Sequence, residues 1–430
     1  MEILKRVFTG SKKTVNGSAL IITIVFAIII GILTSALILL AYYNRLQQSS
    51  EIIRDRLVRN AQSGINLLLA DTTGLNTNSK RLIDLFNHQT DSVEITSNNW
   101  GLYKVGIVRS FEIKKEKTSL FMYGEMLPLN FKAAIYLADH ERPLALVGKT
   151  KIIGDAFLPK AGAQIAYIDQ RVYNRDSLIF GKILISEKSL PSLEPRTFEY
   201  LEQLTSLPRI RATSINETLL LQDTIVRLFD DSALEIYHKG KLILQNHSIA
   251  GNIIIHSDSL IEIDETCAIK NCILTAPVIK VKKGFKGSLQ LIATDSIILE
   301  QNCRLDYPSA IVLLKTKKQV FQPAIIIDSG SIVEGTILTF ADNDDQNKTA
   351  VYLREGSKVT GLVYVNGFLS LKGRIDGAVG ADFFLYNTGA TMYQNYLVDA
   401  EINRSELSKS FVGPSIFTEI TKRKVITWLK

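Results

Sequence analysis

The sequence predicts a mainly β protein carried on a single N-terminal transmembrane α-helix, which continues into an extracytoplasmic helix and is followed by a β-rich region and a C-terminal parallel β-solenoid. Three observations carry this reading. No charged residue lies between Lys13 and Arg45, the patterning changes to period two after about Asp91, and β-branched residues recur every eighteen positions after Ala233.

The apolar run from Ala19 to Tyr43 would reach about 37 Å as a helix, enough to cross a bilayer with some tilt. It is longer than the apolar region of a cleaved secretory signal, roughly 7 to 15 residues. Ser18, Thr23, Thr34 and Ser35 are too few to give the polar face of a buried core helix. The span is therefore assigned to 18–43, behind a basic leader, 1–17, that carries Lys5, Arg6, Lys12 and Lys13. Arg45, Arg54, Arg56 and Arg59 nearly balance those charges. Orientation then follows from the short basic tail against the large remainder of the chain: leader inside, C-terminal part outside, in the inner (cytoplasmic) membrane of a cell with a periplasm. Tyr42 and Tyr43 fall where an interfacial aromatic belt belongs. Ala27, Gly31 and Ser35, four apart, form a face of small residues that another helix could approach.

Beyond the span, Leu46, Ile53, Leu57, Ala61, Gly64 and Leu68 recur at helical spacing, so one rod is expected to run on through 44–71 until Asp71-Thr72-Thr73-Gly74 ends it. The apolar stripe on that rod needs a partner, either its own globular domain or neighbouring subunits.

A basic leader, a Gly17-Ser18 junction, an unbroken apolar helix and an amphipathic continuation ending RNAQSGINLLLA (Arg59 to Ala70) together resemble the N-terminal segment of type IV pilin-like proteins. The segment is most similar to PilX-like minor pilins and the K-type pseudopilins of type II secretion. The resemblance covers about the first 70 residues. It implies cleavage by a prepilin peptidase after Gly17, with Ser18 as the new N-terminus. Major members of the family carry a glutamate at the fifth mature position, which falls here on Ile22. K-type pseudopilins also lack it, so the resemblance implies a minor or initiating subunit.

Within the β-rich region, 91–205, Val93 to Met126 alternates apolar and polar residues around turns expected at Asn98-Asn99 and Lys114 to Lys117. Pro143 to Leu193 is punctuated by Gly148, Gly154, Pro159 and Gly162, as short strands are. Gly148-Lys149-Thr150 is not a phosphate loop, because Pro143 stands where that motif needs a glycine. A short helix is expected from Glu194 to Leu204.

The solenoid is assigned to 233–385. Ile243, Ile261, Ile279 and Ile297 fall eighteen apart, as do Ile255, Ile273 and Leu291, and Val351 and Leu369. The longer steps from Ile297 to Ile325 and on to Val351 each match one pass plus a loop, Leu314 to Pro323 and Ala341 to Thr349. Cys267, Phe285 and Cys303 share one column. The two cysteines would lie two strand spacings apart, roughly 9 to 10 Å, too far for a disulfide, and read as small core residues. The tail, 386–430, is expected to cap the last open strand edge.

A net charge of +7 dispersed along the chain lacks the clustered footprint of a nucleic-acid binder, and 46% hydrophobic residues exclude a disordered chain. No HExxH, GxSxG or CxxC motif occurs. His238, His247 and His256 are nine apart, so His238 and His256 are expected on successive passes near Asp258; exposed flank histidines explain this better than a metal site. Asp342, Asp344 and Asp345 read as an acidic surface or a loose calcium loop rather than a general acid and base pair. No catalytic residue, metal or cofactor is assigned. The expected partners are the lipid bilayer and proteins, through self-association or pilin-like assembly. The expected function is a membrane-anchored, non-enzymatic structural or assembly role in the cell envelope. The alternative is an envelope carbohydrate-binding or carbohydrate-active β-helix protein.

Overall fold

The computed structural model describes residues 17–71, 80–85, 91–112, 115–206, 217–315, 321–341 and 348–429. Residues 1–16 of the leader and the aspartates at 342, 344 and 345 lie outside them. The chain is mainly β, with one long N-terminal helix, α1 (Gly17–Ala70). Among the described residues this is the one helix long and apolar enough to cross a membrane, and none of its apolar window is buried.

The second half of α1 behaves differently. Ala61, Ile65 and Leu68 are buried against Val93, Ile95, Val108, Phe121 and Tyr123, and Leu57 is buried as well. These come from an antiparallel sheet of β1 (Lys80–Ile83), β2 (Asp91–Trp100), β3 (Tyr103–Glu112) and β4 (Lys115–Glu125), completed by the C-terminal strand Arg423–Trp428 beside β4. Gly64 faces the sheet so closely that a Cβ there would meet Val93 Cγ1 at 2.7 Å and Val108 Cγ1 at 2.8 Å. Of the expected stripe, Leu46 stays exposed and Ile53 is half-buried, because the sheet does not reach that far up the helix. The β2–β3 turn falls at Gly101-Leu102, with Gly101 at φ +59°, rather than at Asn98-Asn99, which are paired within β2. Glycine takes that left-handed conformation without strain. Glu112 pairs with Lys115, so Lys115 to Lys117 belong to β4 rather than to a turn, and Lys114 lies outside the described residues.

Most of the described strands between β4 and the C-terminal strand form a second unit, a sheet of mostly parallel strands that closes on itself; a separate three-stranded and a two-stranded sheet come from the same stretch. Thr224–Arg227, Leu234–His238 and Lys241–Leu244 pair with Ser248–Gly251, Ile253–Ser257 and Leu260–Ile263 respectively. Later passes run as long bent strands, Ala268–Val281 and Lys286–Leu299, in the same register. Ile261, Ile279, Ile297, Ile325, Val351 and Leu369 stand in one continuous column, all fully buried. Inward β-branched residues stacked in this way keep each pass dry and the backbone ladder unbroken.

Two register expectations require correction. Leu242, not Ile243, precedes Ile261 in the column, and Ile243 pairs with Glu262 and is exposed. Similarly Ile255 stacks on Leu274 and Leu291, whereas Ile273 pairs with Ile254 and Gln290 and packs outside the barrel. A bulge at Asn271, φ +56°, places one extra residue between Lys270 and Cys272, and a second irregularity between Ala276 and Val278 takes the shift out again, so the changed register is confined to Cys272 to Ala276 and Ile279 keeps its eighteen-residue partner Ile297.

The far end of the stack is built from earlier residues. Val379 to Ala381 pairs with Ile135–Leu137, which pairs with Ala156–Leu158, which pairs in turn with Ile183–Ile185. Tyr396–Val398 and Glu401–Asn403 join the same end, against Leu144–Val147 and Lys151–Ile153. Strands within the expected 91–205 region thus serve two different sheets. The tail covers part of the edge of the last long strand, Arg374–Asn387: Glu401 and Ile402 pair with Arg374 and Ile375, and Met392–Gln394 pairs with Leu385 to Asn387, while Ile135–Leu137 takes the middle and the tail's last strand returns to β4. The expected short helix is present as α2 (Pro195–Ser206).

Candidate functional site

One outer face of the parallel stack is apolar, with Ile254, Ile273, Ile292, Val312, Leu338 and Leu362 in successive passes. The antiparallel sheet covers part of it through the β2–β3 turn. There the Leu102 N–H donates to Gln290 Oε1 at 2.8 Å and Gln290 Nε2 donates to the Trp100 carbonyl at 2.9 Å, so a buried amide is satisfied by the turn it anchors. Helix α2 covers another part. Leu201 and Leu204 are buried, the Phe198 ring lies 5.5 Å from that of Phe340, and the Tyr200 hydroxyl donates to the Asn99 carbonyl. Burial pushes the Tyr200 phenol up to about 12.

Between α2 and the row of residues where each pass leaves this face, the described residues line a groove of about 1450 Å³. It runs along the stack, past Tyr237, His256, Ala276, Asp295, Lys315, Ala341, Asn366 and Asp382. At one end the Tyr237 ring stacks on His256, centroids 5.6 Å apart and planes 22° from parallel. The Tyr237 hydroxyl and the Gly240 N–H both donate to the Asp258 carboxylate, at 3.0 and 2.6 Å. The Gly240 N–H above all holds that carboxyl below its usual range, with partial burial opposing it. At the other end Asp382 is bracketed by His140 at 2.7 Å and by an ion pair with Lys348. His140 stacks on Phe383, centroids 4.1 Å apart, and the Lys348 ammonium lies 4.7 Å from the centre of the same ring. The described lining carries carboxylates at Glu194, Glu202, Asp258, Asp295 and Asp382 against ammonium groups at Lys188, Lys315 and Lys348, so neither sign dominates.

The histidines fall differently from their spacing. Tyr237, not His238, sits over His256; His238 bonds the Lys241 carbonyl in its own turn, and His247 reaches the Leu220 carbonyl. No group of three or more metal-ligating side chains occurs among the described residues. Cys267, Phe285 and Cys303 do share a buried column, and all three cysteines are free. Burial raises every thiol, Cys272 to about 12 and Cys303 to about 11, which leaves them protonated and unreactive. Gly17 and Ser18 open α1, and Ala27, Gly31 and Ser35 lie on its exposed apolar half, where a Cβ on Gly31 would meet nothing within 4 Å. Neither the groove nor the Gln290 anchor was legible in the sequence, because their parts come from segments far apart in the chain and share no period.

No protein-family model, curated protein or solved structure matches this chain.

Proposed function

We propose that the chain is a membrane-anchored, non-enzymatic subunit of pilin-like type, and that its closed parallel sheet is a β-solenoid displayed on the extracytoplasmic, periplasmic side of the inner membrane. The division of α1 carries this reading. Its first half exposes an uninterrupted apolar surface with no partner among the described residues, whereas one face of its last turns, Ala61, Ile65 and Leu68, is buried against the antiparallel sheet. A helix divided in this way requires lipid around its first half, or neighbouring helices of the same kind, and leaves the domain outside unchanged when one replaces the other. The near-constant register and the inward aliphatic columns support the solenoid. The insertion of that unit between β4 and Arg423–Trp428 fits a displayed module on a carrier domain. Ala27, Gly31 and Ser35 are the face by which the helix would pack on neighbours, and Gly17-Ser18 is the processing junction.

Mass spectrometry of the protein from cells that process other prepilins tests the proposal. An N-terminus at Ser18, lost when Gly17 is replaced by leucine, is expected. Retention of residues 1–17 in those cells would overturn the pilin-like assignment and leave a plain signal-anchored protein.

A further inference from the structure

Just beyond its exposed apolar half, α1 meets the start of β4, and the two line a cavity of about 400 Å³. Ser50, Arg54, Leu57 and Val58 form its helix side and the first residues of β4, Lys115 to Lys117, its strand side. The Lys115 ammonium donates to Ser50 Oγ at 2.6 Å, which ties strand to helix across the cavity. The volume lies within the roughly 300 to 1,000 Å³ of pockets that enclose a small molecule.

Charge here does not cancel. Glu112, the cross-strand partner of Lys115, is held by Arg56 at 3.3 Å, so that pair is closed. Glu116 pairs with Phe111, and alternation along β4 turns its side chain to the opposite face of the sheet from Lys115 and Lys117. On the helix, Glu51 accepts from the Gln47 amide at 3.2 Å. Arg54, Lys115 and Lys117 are all exposed, and none of the three pairs with a carboxylate among the described residues. Three cations gathered round one cavity suit a single phosphate rather than a charged polymer, which needs a longer track.

Height along the helix identifies the source of that phosphate. Tyr43, Ser50 and Leu57 are seven apart and share a helix face, so the cavity lies in line with the aromatic end of the span, about 10 Å beyond Tyr43. The headgroup layer is about 5 to 8 Å thick on each side of the hydrocarbon, and the long arms of arginine and lysine reach the rest of the way. Leu57, buried, and Val58, exposed, add an apolar wall that a free anion would not use.

We propose that this cavity binds the headgroup of one anionic phospholipid, with Arg54, Lys115 and Lys117 around the phosphate and the glycerol carbons against Leu57 and Val58. The site rests on the membrane-anchored reading of α1 and is independent of how the N-terminus is processed.

Native mass spectrometry of the full-length chain, purified in detergent and offered equal amounts of phosphatidylglycerol and phosphatidylcholine, tests it. One phosphatidylglycerol is expected to be retained with at least tenfold preference. Arg54→Gln, and separately Lys115→Gln/Lys117→Gln, should each bring the preference below threefold, while Arg45→Gln, on the opposite side of α1 and closer to the span, leaves it unchanged. Melting temperatures of these variants within a few degrees of the parent show that the fold is retained. No preference in the parent, equal loss in Arg45→Gln, or a preference that survives both cavity variants would each overturn the proposal. Displacement of the lipid by an equal concentration of glycerol phosphate would do the same, by marking a site for a soluble anion. Flotation with vesicles separates the site from the anchor. A chain that floats with phosphatidylcholine vesicles yet shows no lipid preference overturns the site alone, and one that floats with no vesicle overturns the anchored reading and the site with it.

Discussion

The guanidinium of Arg423 lies 3.2 Å from the carboxylate of Glu125, both side chains less than a tenth exposed, and it also donates to the carbonyl of Asp71. One ion pair thus joins the end of α1, the end of β4 and the start of the last strand.

Removing one partner of a buried pair strands the other charge, so Arg423→Met should destabilise the protein by about 3–5 kcal/mol. The double variant Glu125→Leu/Arg423→Met should lose less than the single one. Urea unfolding of the parent and the variants checks this, and a double variant no better than Arg423→Met would contradict it.

The helix–sheet contact can be probed at Gly64. Any side chain there meets the branched carbons of Val93 and Val108 below 3 Å, and two β-branched residues fixed in strands have little freedom to withdraw. Gly64→Val should destabilise by about 1–3 kcal/mol through overpacking. Hydrogen exchange should localise the loss to 57–68 and β2–β3; an unchanged exchange pattern would show that the helix is not seated as described.

In the barrel interior, Phe285 is fully buried between Cys267 and Cys303. Phe285→Ala should cost about 3–5 kcal/mol, since a rigid stack collapses poorly onto a cavity. Calorimetry reads the result, and a parent-like melting curve would mean that the column is looser than its burial indicates.

Asp258 gives the stability a pH dependence. Its folded-state pKa is lowered, chiefly by the Gly240 N–H, so its contribution is present above the unfolded carboxylate value of about 3.9 and is lost as pH falls through the folded value. Asp258→Asn should therefore melt below the parent at pH 5 to 8, and the gap should close on acidification below about pH 4. A gap that widens in acid would reverse the assignment.

Much of the architecture was legible in the residues. Ile261, Ile279 and Ile297 recur because each inward position must fill the same space one pass later, and that demand writes a period into the sequence. The effect of two compensating irregularities, at Asn271 and between Ala276 and Val278, is not written: they shift the register of the residues between them, so Ile273 and Leu274 exchange roles with no change in hydrophobicity to mark it. The junction of Ile135–Leu137 with Val379 to Ala381 was equally silent, since it is a pairing of two apolar segments more than two hundred positions apart. The groove depends on α2 lying across several passes. Helical composition identifies such an element but does not say where it rests.

The pairing of Glu125 with Arg423 also sets an order of events. The two residues are 298 positions apart, and every strand of the large unit lies between them. During synthesis β4 is complete long before its neighbour exists, so the small sheet waits with a bare edge, the kind of surface on which strands of other molecules add. Loop closure over so long an unfolded chain is slow, but once the intervening unit has folded its two ends are already side by side and the last strand has only a short distance to travel. The small sheet is therefore sealed only after the large unit has formed, by the strand Arg423–Trp428.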